Sequence, residues 1–223
     1  MPPEPGAPTL PRSMRATDPR ITTNDAYLEP ARGRPNLRII AGALVYRLEW
    51  VGQRCVGVRV VVGNEVVRYT AGEVVLCARA IHSPAILLRS GVGPFDVLRS
   101  FGIAPVVELS RVGQNLCEQP LVEIGLGNPS SPAKPIAAPP FGCVLRAGSG
   151  APSDDDLSMF SAENWVSPSQ APAFWVGFVD PRSRGRLRLR SSDPFDDPWL
   201  EFDCSRMPRI AHVCAQARGW CRA

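Results

Sequence analysis

Histidine and cysteine carry most acid–base, nucleophilic and metal chemistry, and this chain spends few of them. Only two histidines occur, His82 and His212. The seven cysteines, Cys55, Cys77, Cys117, Cys143, Cys204, Cys214 and Cys221, form no C-x-x-C pair. An odd count without a secretory signal points to reduced thiols packed as small apolar residues, so neither a disulfide framework nor a metal site is expected. His82 stands beside a helix start and reads as a local hydrogen-bonding residue. His212, in a basic tail, reads as a helical surface residue, and no catalytic residue is assigned in the chain. The densest constellation is HSPAILLRSGVGP, residues 82–94, where Ser-Pro and Gly-x-Gly bracket an apolar run.

That constellation needs positioning elements on both sides. EVVLCA (73–78) is apolar on both faces and predicts a buried strand of a parallel sheet. A helix is expected directly after it, with Ser83 as N-cap, Pro84 at the first helical position and Gly91 just past the end. Upstream, LRIIAG (37–42), ALVYRLEWV (43–51), RCVGVRVVV (54–62) and EVVRYTA (65–71) give β signals, the last two flanking a Gly63-Asn64 turn. Three adjacent strands of this kind predict an antiparallel meander. Thr23, Asn24 or Asp25 is expected to cap a short helix through Leu28 that Pro30 ends. Downstream, PFDVLRSF (94–101) predicts a second short helix, IAPVVEL (103–109) is extended and RVGQNLCEQP (111–120) is a polar loop. FGCVLRA (141–147), DLSMFSA (156–162) and AFWVGFVD (173–180) read as strands. In RGRLRLR (184–190) four arginines alternate with Leu187 and Leu189, which predicts an exposed edge strand, with an anionic ligand site as the sharper alternative.

Composition bounds the rest. At 223 residues and 44% hydrophobic, the chain can bury a sizeable core. No window approaches the roughly 18 apolar residues of a membrane span, and the Pro-rich N-terminus is no secretory signal; a cytoplasmic location is expected. The net charge of +4 belongs to the last twenty residues, where Arg206, Arg209, Arg218 and Arg222 face no acid. Residues 1–203 are therefore neutral, and no nucleic-acid footprint is present. The acid-free tail is compatible with an ordinary basic helix or with a shifted reading frame. The domain reading is a disordered leader (1–19), a first partial domain (20–127), a Pro-rich linker (128–140) and a second partial domain with the basic tail (141–223).

The run NLRIIAGALVYRLEW … VGVRVVV … EVVLCARAIHSPAILLRSGVGP … LRSFGIAPVVEL … VGQNL strongly resembles the glucose–methanol–choline (GMC) flavin-dependent oxidoreductases. The likeness covers about Ile21 to Gly127 and resumes more weakly over 180–203. It implies an α/β fold, α+β in part: an incomplete FAD-binding domain with its β-meander, then part of an antiparallel substrate-domain sheet. It implies FAD as cofactor and oxidation of a CH–OH group, with hydride passing from an alcohol to flavin N5. By resemblance, Val45 meets the adenine through its backbone, and Cys77, Ala78, Arg79 and Ala80 line the FAD crevice. Ser83, Pro84, Ser90, Gly91 and Gly93 match the family motif, and helix capping and turn formation account for them equally well.

Three departures qualify the resemblance. Arg79 stands where the family has Gly or another small residue, so weakened cofactor binding is expected. Glu118-Gln119-Pro120 replaces an Asp-His-Pro-like ending. No G-x-G-x-x-G occurs in the chain, and neither does the family's C-terminal segment with its catalytic histidine. The expectation is therefore a fragment that is catalytically silent alone. The alternative is a non-catalytic module that complements a separate chain. The expected partners are a small alcohol and a complementing chain; nucleic acid and membrane are not expected.

Overall fold

The computed structural model describes residues 21–125, 141–147, 157–162, 173–179, 181 and 183–202. In chain order, a π-helical turn Asn24–Leu28 runs into α1 (Glu29–Ala31), followed by β1 (Ala43–Val51), β2 (Arg54–Val62) and β3 (Glu65–Thr70). Then come α2 (Arg79–Arg89), β4 (Val92–Gly93), α3 (Phe95–Ser100), β5 (Val107–Glu108) and β6 (Gln114–Leu116). The remaining strands are β7 (Leu121–Gly125), β8 (Phe141–Ala147), β9 (Leu157–Ala162), β10 (Ala173–Phe178), β11 (Gly185–Arg188) and β12 (Trp199–Glu201). The mixture of helices, antiparallel sheets and one short parallel pair, β4 with β5, agrees with the α/β and α+β expectation. One compact unit is Arg34–Cys117 with Ser183–Cys204; the other holds the described parts of Met1–Gly33 and Glu118–Arg182. The leader 1–19, the linker 128–140 and the basic tail lie outside the described residues.

In the first unit β1, β2 and β3 form the expected antiparallel meander. Gly63 opens the two-residue β2–β3 loop at φ +61°, a conformation that a side chain would penalise. The unit's core gathers Ala85 and Leu88 of α2, Leu98 of α3, and Leu187 and Leu189. Both Leu187 and Leu189 are 3% exposed, so the alternating arginine run does bury its leucine face. Its placement differs from expectation, because β11 lies in the middle of a sheet ordered β12–β11–β6. Gln114–Leu116, read from sequence as polar loop, supplies the second flank. Arg186 and Arg188 both pair with Glu201 of β12, at 2.5 and 3.2 Å, which accounts for two of the four arginines without an anionic ligand.

Three further expectations are corrected here. Residues 37–42 form no strand; Ile39 and Ile40 are exposed in an irregular segment. Residues 73–78 likewise form no strand and are not buried, with Val75 75% exposed. A doubly apolar strand needs a parallel neighbour on its flank, and none pairs with it among the described residues. Helix α2 starts at Arg79, so Ser83 is not its N-cap and Pro84 lies inside it. There the proline ring deprives the Ala80 carbonyl of a helical donor. The expected end of α2 holds: Ser90 is the C-cap and Gly91 follows at φ +84°. Helix α3 also follows its signals, with Pro94 before it and Gly102 after it at φ +67°.

The second unit contains a four-stranded antiparallel sheet ordered β7–β10–β9–β8. Leu157, Met159 and Val176 form its buried cluster, with Ile124 and Leu145 packed against them. In the same unit, Thr23 of the expected trio is the N-cap residue but makes no side-chain capping bond, which comes instead from Thr22 beside it. The Thr22 hydroxyl accepts the Asp25 N–H at 3.3 Å, and the Asp25 carboxylate accepts the Thr22 N–H at 2.8 Å. This reciprocal pair is a capping box. Pro30 does not terminate the segment but sits within α1, preceded by a π-type bond from the Glu29 N–H to the Asn24 carbonyl.

Candidate functional site

Helix α2 divides the sequence-derived site into two ends. At its N-terminal end, residues 73–78 approach as an extended chain without a backbone hydrogen bond to any other segment among the described residues. Cys77 is exposed, Ala78 is half-buried and Ala80 is exposed. Between them Arg79, also exposed, holds φ at +61°, in the left-handed region that favours glycine. Ser83 and Pro84 follow within the helix, both half-buried. His82 is exposed on the same helix, and His212 lies outside the described residues.

The C-terminal end of α2 lies roughly 16 Å further along the helix axis and is anchored by protein contacts. Ser90 is 5% exposed. Its hydroxyl accepts the Leu48 N–H at 2.8 Å and donates to the Ile86 carbonyl at 2.5 Å. The Ser90 carbonyl accepts the Trp50 indole N–H at 2.8 Å. Both groups of Ser90 therefore fasten α2 to β1. Gly91 lies against the 104–106 backbone, and a Cβ there would overlap the Ala104 carbonyl oxygen. Its own carbonyl accepts the Val106 N–H at 2.7 Å. Gly93 is buried, and a Cβ on it would press on the Leu88 side chain at 2.5 Å. Val45 is half-buried on β1, opposite Val60 and just before a β-bulge at Tyr46. The structure thus groups Cys77–Pro84 at one end of α2 and Ser90–Gly93 at the other.

Electrostatics concentrate at the second end. Arg89 is 6% exposed and donates from Nη2 to the Asp196 carbonyl at 2.8 Å, while its Nε has no hydrogen-bond partner. Burial pushes its guanidinium below the ordinary value, and Asp193, Asp196 and Asp197 oppose that shift. On the meander, the Glu49 carboxylate joins Arg59 and Arg68. The Arg59 hydrogen bond is the main cause holding Glu49 below the usual carboxylate range, with help from the Arg68 charge. This cluster was missed in the sequence; its signal was Arg47, Arg59 and Arg68 spaced so that two hairpins bring them abreast. In the other unit, Gln119 of the Glu118-Gln119-Pro120 departure donates from its side-chain amide to the Val179 carbonyl at 2.8 Å. Among the described residues no three His, Cys, Asp or Glu side chains converge as a metal site, and no helix is long and apolar enough to cross a membrane.

Residues 9–121 match the GMC oxidoreductase family. The chain belongs to that family. A 5-(hydroxymethyl)furfural oxidase of Methylovorus sp. (strain MP688) is 33% identical over 198 residues, covering 85% of this chain and 37% of that protein. An oxygen-dependent choline dehydrogenase of Stenotrophomonas maltophilia (strain K279a) is 34% identical, covering 86% of this chain and 40% of its own length. Among solved structures, pyridoxine 4-oxidase from Mesorbium loti superposes with a TM-score of 0.76 at 27% identity, covering 91% of this chain and 42% of that one. The GMC chain described here therefore spans about two fifths of the length of these relatives.

Proposed function

We propose that this chain contributes one wall of the FAD site of a GMC-type oxidoreductase that acts on the CH–OH group of an alcohol. The carrying observation is the end of the open 73–80 segment. Cys77, Ala78 and Ala80 are small, and the backbone before them is uncommitted among the described residues, as a close approach by a dinucleotide requires. When bound, FAD supplies the hydride acceptor for alcohol oxidation. Cys77–Ala80 and the Val45 backbone form the contact wall in this reading, and Ser83 and Pro84 shape the helix start beside it. Ser90, Gly91 and Gly93 hold the far end of α2 in place and act on the cofactor only through that helix. Arg79 weakens binding by setting a long cationic side chain into a wall of small residues. The pyrophosphate cradle is not furnished by these 223 residues, which contain no G-x-G-x-x-G. An alcohol of the kind named for the relatives, furan, choline or pyridoxine alcohols, defines the substrate class to try.

Cys77 provides a readout independent of turnover, because its thiol is exposed in the proposed wall. The full chain is labelled with a maleimide with and without saturating FAD, and the labelled peptides are mapped by mass spectrometry. FAD is expected to slow labelling of Cys77 but not of exposed Cys117. Equal Cys77 rates in both samples would refute the wall.

The exposed Val75 and unpaired 73–78 backbone favour a second reading, an interaction module that pairs this segment with a strand of a separate polypeptide. Co-purification with a polypeptide bearing G-x-G-x-x-G, lost on Val75→Pro, supports it. Failure of the unsubstituted chain to retain such a polypeptide counts against it.

A further inference from the structure

A cleft of about 620 Å³ opens beside the C-terminal end of α2, and Arg47, Arg59, Arg68 and Arg89 all line it. Strand register places Arg47 opposite Arg59 on β2, and Arg59 opposite Arg68 on β3. Directly opposed residues project from the same face, so three cations stand abreast where like charges destabilise a sheet. Glu49, whose side chain is 11% exposed, is the carboxylate in the row, and it engages Arg59 and Arg68 through their Nε groups. The terminal nitrogens of both guanidiniums, the edge suited to a bidentate oxyanion, bond to no other group among the described residues. Arg47 lies over the Tyr46 ring at 5.4 Å and makes no ion pair among the described residues. Buried Arg89 adds the unpartnered Nε described above. The aromatic residues Tyr46, Trp50 and Phe101 are among those that line it.

We propose that this cleft binds a small aromatic phosphate monoester, its dianionic phosphate on the Arg47–Arg59–Arg68 row and its ring against the aromatic side chains. The net charge of the row with Glu49 is +2, which a phosphate dianion neutralises. Glu49 acts as a positioning residue, since it fixes two guanidiniums before any ligand arrives and so lowers the ordering cost of binding. The cleft stands at the opposite end of α2 from Cys77–Ala80 and adjoins the proposed FAD wall only at Val45, next to Tyr46 on β1; its arginine row takes no residue from that wall.

Isothermal titration calorimetry of the full chain with phenyl phosphate, at fixed ionic strength in chloride buffer, tests it. Saturable one-site binding is expected, stronger than that of inorganic phosphate, with no heat from phenol. Arg47→Gln with Arg68→Gln should weaken phenyl phosphate binding by more than about tenfold, the loss of two charged contacts. If the double variant melts early, Arg47→Gln alone should still weaken binding by about tenfold, the loss of one charged contact from a side chain that holds no ion pair among the described residues. Three results would each overturn the proposal: no heat above dilution, unchanged affinity in the folded variants, or equal affinities for phenyl and inorganic phosphate.

Discussion

The two ends of α2 are built from similar small residues and have opposite fates. Ser90 and Gly91 are buried and use their polar groups on Leu48, Ile86, Trp50 and Val106. Cys77 and Ala80 are exposed, and the backbone leading to them is unpaired among the described residues. A motif that reads as one continuous signature thus separates into an anchor and an open edge. Small size at position 91 is explained inside the fold, by a neighbouring carbonyl that leaves no space for a Cβ. Small size at 77 and 80, both exposed, is not set by a buried neighbour of that kind; the proposed wall would account for it.

Substitutions can break this contrast. Gly91→Ala attacks the anchor most severely, since it adds a Cβ against the Ala104 carbonyl at a positive φ. It should cost about 2–4 kcal/mol in urea unfolding, and an unchanged midpoint would show that the anchor is not rigid. Ser90→Ala comes next, leaving the Leu48 N–H without its acceptor in a buried site. A loss of about 2 kcal/mol is expected, that of a buried unsatisfied donor. At the open end, Arg79→Gly should instead stabilise the chain by about 1 kcal/mol, because glycine holds a left-handed φ without strain. Arg79→Ala should not stabilise it; if both gain equally, side-chain charge and not backbone geometry is responsible. The smallest effect concerns Glu49. Its carboxyl titrates below the ordinary 4.5 in the folded chain, so its stabilisation is complete above that value and fades as acid protonates it. Glu49→Gln should flatten stability against pH on the acid side, and an identical acid profile would remove Glu49 as its source.

The parts legible in sequence were those whose signals are local. Alternation and the Gly63-Asn64 turn marked the meander, and Pro94 with Gly102 bracketed α3. Leu187 and Leu189 declared a buried face, but not that β11 has neighbours on both sides. Its partner β6 is three residues of Gln-Asn-Leu, too short and polar to carry a period. For 73–78, an apolar pattern states that burial is favourable without saying what does the burying, and here Val75 stays exposed. Ser83-Pro84 imitated a helix start because capping preferences are statistical, whereas α2 begins at Arg79 against them. Of the candidate site, the sequence located the C-terminal end of α2 but set its start at Ser83, four residues past Arg79, and did not show the division of labour between the two ends. The arginine row was hidden because the bulged β1–β2 register and the regular β2–β3 register must both be known before residues 47, 59 and 68 fall into line.

The central place of β11 has a consequence for how the chain is made. Leu88 and Leu98 lie in one cluster with Leu187 and Leu189, and the Arg89 side chain reaches across 107 residues to the Asp196 carbonyl. During synthesis, α2 and α3 leave the ribosome well before the strand that completes their core. Until residues near 189 emerge, the leucine face of this unit is open to water and to chaperones. A chain released before that point keeps the whole motif from His82 to Pro94 yet cannot close the cluster that holds it.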